Sequence, residues 1–192
     1  MKLLKTITAI LLSLAFFNSQ AQNNIPQGFS KGNIVLADGS VLSGYLKDNI
    51  RRDAAVIFLN EANKKQKDYD GSDLLSAQID NTKFICIRGD FFKVVSEGEL
   101  SFLQKSSDAS NKAVYNGAET AFTNGTDGKP GDYFIYNNSN KELKKVSKRN
   151  VDLVAVSIFA GCTAAIDKAK SVNGDMAKVK DAVDIYNSRK NN

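Results

Sequence analysis

At 192 residues, with 26 Lys and Arg against 21 Asp and Glu, the chain carries +5 at pH 7. That excess is too small and too evenly mixed to mark a nucleic-acid binder. A composition 42% hydrophobic and 24% charged is near the globular average and excludes wholesale disorder, while the complete lack of histidine removes imidazole catalysis, Ser-His and Cys-His pairs and His-ligated zinc.

The first element in the chain is an export signal. Met1, Lys2 and Lys5 form a basic start, and Ile7 to Phe17 is an uncharged apolar or small-residue run. Ser19-Gln20-Ala21 then places small residues where a signal peptidase inspects them. The apolar run is well short of the ~20 residues a membrane span needs. Residues 1–21 are therefore expected to be cleaved, leaving 171 residues at +3, because Lys2 and Lys5 leave with the signal. The protein is expected to be exported, periplasmic or extracellular. Neither cysteine, Cys86 or Cys162, follows the cleavage point, so no lipid anchor and no further membrane span are expected.

Residues 22–31 are polar and contain Pro26 and Gly28, as in a flexible lead-in. From 32 to 149 short β-rich runs alternate with turn residues. Asp38-Gly39 separates Asn33–Ala37 from Ser40–Leu46 and predicts a hairpin with a type I′ turn. Ala54–Leu59 is apolar on both faces, as in a central strand. Gly89-Asp90 predicts a second two-residue turn between Phe84–Arg88 and Phe91–Ser96. From 104 to 131 apolar density collapses into Ser, Asn, Gly and Asp, predicting a long polar loop that is mobile or functional. Tyr133–Tyr136 and Leu143–Val146 predict a last hairpin.

Residues 150–192 switch to a helical period. Asn150 is placed to cap a helix with the stripe Val151, Val154, Ile158, Cys162 and Ile166, weakened by Gly161 at mid-length by about 1 kcal/mol. Asp175 caps a second helix with the stripe Met176, Val179, Val183 and Tyr186, and the tail from Asn187 should fray.

No catalytic, cofactor-binding or metal-binding residue stands out. Two cysteines cannot build a Cys₄ site, and no phosphate-cradling glycine loop occurs. Asp68-Tyr69-Asp70-Gly71-Ser72-Asp73 starts like a calcium loop, but Gly71 is fourth where the sixth position needs it, and Ile79 stands where a bidentate Glu is required. An Asx-rich turn is the better reading, there and around Asn124, Asp127 and Asp132. The basic clusters Arg51-Arg52, Lys64 to Lys67 and Lys144 to Arg149 either meet anionic glycolipid or polysaccharide, or form a solvated rim guarding strand edges; interleaved acids favour the rim. Whether Cys86 and Cys162 form a disulfide stays open.

Three stretches carry a resemblance: Gly32–Val35 through Asp38-Gly39 to Gly44–Leu46; Phe91–Val94 with Glu97–Leu100; and Tyr133–Ile135, Lys148–Asn150, Cys162 and Ile185–Asn187. With the Ser-Gln-Ala-Gln ending of the signal, they resemble a family of uncharacterised exported envelope proteins of the Bacteroidetes group. This chain departs from that pattern at Gly161-Cys162-Thr163, where Asp-Cys-Pro is expected. The resemblance implies an address and a strands-then-helices layout, with no site residues or cofactor.

The expected fold is α+β: an antiparallel β-sheet or partly open β-barrel of about seven to nine strands, with two C-terminal helices packed on it. Two functions fit. One is a non-catalytic envelope module binding an unknown ligand or protein partner. The alternative is a small carboxylate-dependent hydrolase acting on envelope or extracellular glycans. An apolar filling of the sheet's inner surface favours the first, and two carboxylates converging in a cleft favour the second.

Overall fold

The computed structural model describes residues 25–110, 113–114, 122–123 and 125–189, with the backbone alone at 113–114 and 122–123. The proposed signal lies outside the described residues. The architecture is α+β, an open antiparallel sheet with most of its helices at the C-terminal end. The strands are β1 (Ser30–Leu36), β2 (Val41–Asn49), β3 (Ala55–Leu59), β4 (Gln66–Asp70), β5 (Leu74–Ile79), β6 (Thr82–Ile87), β7 (Asp90–Ser96), β8 (Leu100–Lys105), β11 (Tyr133–Asn137) and β12 (Glu142–Val146). They make one ten-stranded sheet, in the order β12-β11-β8-β7-β6-β5-β1-β2-β3-β4. Two short strands, β9 (Ala113–Val114) and β10 (Phe122–Thr123), pair as a separate ribbon. The count exceeds the seven to nine strands expected, partly because polar β4 (QKDYD) carries little apolar pattern.

Two turns differ from expectation by one residue. In the first hairpin the Gly39 amide bonds to the Leu36 carbonyl and the Leu36 amide to Ser40, and only Gly39 of the Asp-Gly pair has positive φ (+86°). This is a type I turn closed by a glycine bulge, because Asp38 instead accepts from the Ser40 amide and hydroxyl. In the second hairpin Ile87 pairs with Asp90, so the two-residue turn is Arg88-Gly89, at φ +51° and +83°. Asp90 is thereby released into β7.

The sheet curls strongly in its N-terminal half. Three residues join β4 to β5, although four strand spacings separate them along the sheet. Four spacings are about 19 Å on the flat, whereas the link reaches about 14 Å at most. A cross-strand glycine pair, Gly32 opposite Gly44, lets neighbouring backbones approach closely in this half. A Cβ there would lie 2.1 Å from the Gln78 carbonyl oxygen or 2.5 Å from that of Leu59. At the far end Gly71 bridges to Gly89 and brings the end of β4 onto the β6–β7 turn. Ile34, Leu46, Val56, Phe58, Tyr69, Leu74, Ala77, Phe84 and Phe91 fill the resulting roll. Strand β3 is next to the edge and not central; Val56 and Phe58 face the roll.

The other half keeps its sheet face dry with helices. A short turn of helix, α1 (Ile50–Asp53), follows β2, and the C-terminal region holds α2 (Val151–Ile158), α3 (Thr163–Lys170), a 3₁₀ turn (Met176–Lys178) and α4 (Val179–Ser188). The expected first helix is thus two helices. Gly161, at φ +80° with nothing within 4 Å of a Cβ, is the turn between them and not a close-packing position. The stripe survives the break: Val154, Val179, Val183 and Tyr186 are buried, and Val151, Ile158, Cys162, Ile166 and Met176 pack partly against the same core. The deepest anchor is Phe159, fully buried and 5.6 Å from the Tyr186 ring. Asn150 holds the N-cap position of α2 but its side chain bonds no helix amide; instead its amide donates to the Lys145 carbonyl and its oxygen accepts from Ser147, tying α2 to the last strand. Asn187, expected to fray, donates to the Leu100 carbonyl (2.9 Å) and accepts from the Leu100 amide (3.0 Å). Cys86 and Cys162 are both free thiols, one beside the roll and one beside the helices. Among the described residues no helix is long and apolar enough to cross a membrane.

Candidate functional site

Strand alternation decides which side chains meet on the sheet face away from the helices. Asp90, Phe92 and Val94 of β7 share that face with Ser101, Leu103 and Lys105 of β8. Phe92 is directly opposite Lys105, so Asp90 is its diagonal neighbour. The Lys105 ammonium reaches an Asp90 carboxylate oxygen at 2.9 Å, and neither side chain is exposed.

Every bonding position of this pair is occupied. Lys105 also donates to the carbonyls of Thr126 (2.7 Å) and Gly128 (3.0 Å), which uses the three protons of the ammonium. Asp90 accepts from the Ser107 hydroxyl, the Ala109 amide, and both the amide and hydroxyl of Thr126. With no proton or lone pair left for a substrate, the pair is a clasp and not a catalytic dyad. It pins both ends of the polar segment to the sheet: Lys105 itself closes β8, and the return is fixed by Thr126 on Asp90 and by the Gly128 carbonyl on Lys105. Within the expected loop at 104–131, residues 111–112, 115–121 and 124 lie outside the described residues.

The clasped return segment forms one wall of a cleft of about 260 Å³, lined by Ile87, Arg88, Thr126, Asp127, Phe134, Lys141, Glu142, Leu143 and Lys145. Its floor belongs to a third apolar cluster of Phe92, Leu103 and Phe134, with Ile87 and Leu143 against it; the Phe92 and Phe134 rings meet edge to face at 5.2 Å. Gly128 permits the wall to close, since a Cβ there would lie 3.2 Å from both the Phe134 ring and the Lys145 ammonium.

The charges around this cleft are not equivalent. Lys145 is bound to Asp132 at 2.6 Å, and Glu142 to Lys144 at 3.2 Å. Partial burial pushes the Asp132 carboxyl up, but Lys145 and the Lys129 amide outweigh it and hold the group below its ordinary 3.8. Among the described residues Arg88 and Lys141 make no ion pair. Both have left-handed backbones, φ +51° and +61°, where Gly or Asn is the less strained choice.

The acids that sequence inspection singled out serve turns. Asp70 accepts from the Ser72 amide, and Asp73 from the Asp70 amide. Asp132 accepts from Lys129 and Lys145. Among the described residues no group of three or more His, Cys, Asp or Glu could hold a metal ion. The basic clusters are interleaved as a rim: Arg52 pairs with Asp53 at 2.7 Å, and Lys67 lies over the Tyr69 ring. The Cys86 thiol is pushed far up by burial and by the charge of Asp70, which disfavours the nucleophilic thiolate.

Sequence inspection did not select Asp90, Lys105 or Thr126. One signal was available: Lys105 ends the run Leu100-Ser101-Phe102-Leu103-Gln104-Lys105 in phase with Leu103, which places its side chain on a buried face. A partner for that charge could not be named without the turn shift at Arg88-Gly89. Compared with known protein families, curated proteins and solved structures, the chain finds no match.

Proposed function

We propose that the chain is an exported, non-catalytic binding module of a bacterial envelope, periplasmic or extracellular, with its curled half acting as a partly open barrel. The observation that carries this reading is the filling of the roll. Its inner surface is occupied by Phe58, Phe84, Phe91 and aliphatic neighbours, where a glycan hydrolase needs two converging carboxylates and room for a sugar. The basic start, the apolar run and the Ser19-Gln20-Ala21 site support export, and the Bacteroidetes-like motifs support the envelope address. Two of those motif segments also meet in space, since Asn187 hydrogen-bonds Leu100.

One experiment separates this reading from the hydrolase alternative. The mature protein, immobilised, is incubated with envelope extract of the producing cell, and bound and unbound fractions are weighed by mass spectrometry. A module retains an envelope component at unchanged mass; shortened glycans in the unbound fraction would establish the hydrolase instead. N-terminal sequencing of exported material should begin near Gln22, and an intact Met1 would remove the export premise.

A further inference from the structure

We propose that the cleft between Arg88, Lys141 and the clasped return at Thr126–Gly128 binds a small organic anion with an apolar body, such as a medium-chain carboxylate. This rests on the binding-module reading and supplies its ligand class.

Three independent features converge there. The first is charge. Asp132 neutralises Lys145, and Lys144 occupies Glu142, so the cations left at the rim are Arg88 and Lys141, against the one carboxylate of Asp127. The second is the floor. Ile87, Phe134 and Leu143 line the same cleft as those cations, so a ligand with a charged head and a hydrocarbon body satisfies both kinds of lining at once. A bare inorganic anion leaves the floor wet, and a neutral hydrocarbon leaves the guanidinium unpaired. The third is conformation. Both cations occupy left-handed turn positions, where Gly or Asn would be less strained. A long cationic side chain at such a position is held against backbone preference, a pattern that concentrates at functional sites.

Size and rigidity limit the occupant. The cleft, about 260 Å³, is just below the ~300–1,000 Å³ of sites for drug-sized ligands, which suits a short chain. Its wall is fixed before any ligand arrives, because Thr126 and Gly128 are bonded to a buried ion pair. Little ordering cost is left for binding.

The test is calorimetric titration of the full mature protein with octanoate, and with octanamide as the uncharged isostere. Octanoate should bind and octanamide should bind at least tenfold more weakly. Arg88→Asn and Lys141→Asn, which suit the left-handed backbone and should melt like the parent, should each weaken octanoate about tenfold, the loss expected for one charge-assisted hydrogen bond. Leu143→Ser should weaken both probes together. Absence of octanoate binding, equal binding of octanamide, or unchanged affinity in both Asn variants would overturn the proposal. Binding to phosphatidylglycerol vesicles without binding to octanoate would overturn it too, by assigning the cations to a membrane surface. None of these results bears on the envelope-extract experiment, so the ligand class and the module reading fail separately.

Discussion

The two halves of the sheet solve one problem in different ways. A β-sheet must cover its apolar face, and strands β1–β5 do so by curling over their own side chains, with Gly32, Gly44, Gly71 and Gly89 allowing the close backbone approaches. Strands β8, β11 and β12 stay open, and their apolar face is dry because α2 and α4 lie on it, with α3 packed against both helices. Self-coverage needs glycine where backbones nearly touch. Coverage by helices needs large anchors, here Phe159 and Tyr186, and polar stitches that fix each helix to a strand. Strand β7 serves both halves, with Phe91 in the roll and Val95 against the helices, and the Asp90–Lys105 clasp ties it to β8.

The largest effect should come from breaking that clasp. Asp90→Ala leaves the Lys105 ammonium buried without its counter-charge and strips the Ala109 and Thr126 amides of their acceptor. A loss of about 3–5 kcal/mol is expected, read from the urea midpoint. The pair replacement Asp90→Leu with Lys105→Met should cost less than Asp90→Ala alone, since no charge is stranded. A double variant worse than the single one would show that the pair acts through something other than desolvation.

Anchors come next. Phe58→Ala in the roll and Phe159→Ala under the helices should each cost about 3–5 kcal/mol. If the halves fold as one unit, each variant gives a single cooperative transition by both far- and near-ultraviolet circular dichroism. Two transitions for Phe159→Ala alone would show that the helix-covered half melts first and that the comparison is also a division in stability.

Stitches are smaller. Asn187→Ala removes both bonds to Leu100 and leaves that strand's amide beneath a helix; about 1–3 kcal/mol should be lost, and amide exchange should accelerate at Leu100 while Val56 in the roll keeps its protection. Acid should also separate the halves. The folded pKa of Asp132 lies below its unfolded value, so its contribution is whole above about pH 4 and is lost as pH falls through the folded value. Asp132→Asn should therefore flatten the fall in stability below about pH 4, measured by urea midpoints at pH 7, 4 and 2.5. The smallest effect is expected at Arg88. Arg88→Gly relieves a left-handed residue and should change stability by no more than about 1 kcal/mol, in the stabilising direction.

Much of this was legible in the residues. Alternation and turn chemistry located most strands, and the helical stripe carried the C-terminal coverage through its break at Gly161. What escaped depended on partners distant in sequence. Whether Gly89-Asp90 or Arg88-Gly89 forms a turn changes the hairpin by one residue, and that residue decides whether Asp90 is a loop acid or a buried counter-ion. The cleft was illegible for the same reason: Arg88, Thr126 and Lys141 come from three turns that only the sheet order brings together. Asn187 read as a fraying end because nothing local says that Leu100 awaits it.

The position of β1 has a consequence for how the chain assembles in time. It is the first of the described strands, yet it lies inside the sheet, paired on one side with β2 and on the other with β5. As a chain emerges N-terminus first, β1 to β4 can zip into a meander at once, but the second edge of β1 stays bare until Leu74 and the rest of β5 arrive. During that interval the nascent protein presents an open strand with the run Ile34-Val35-Leu36, the kind of edge that recruits a neighbouring chain. A holdase acting on this protein should therefore be needed early, and should become dispensable once the β5–β6 turn at Asp80-Asn81 has emerged.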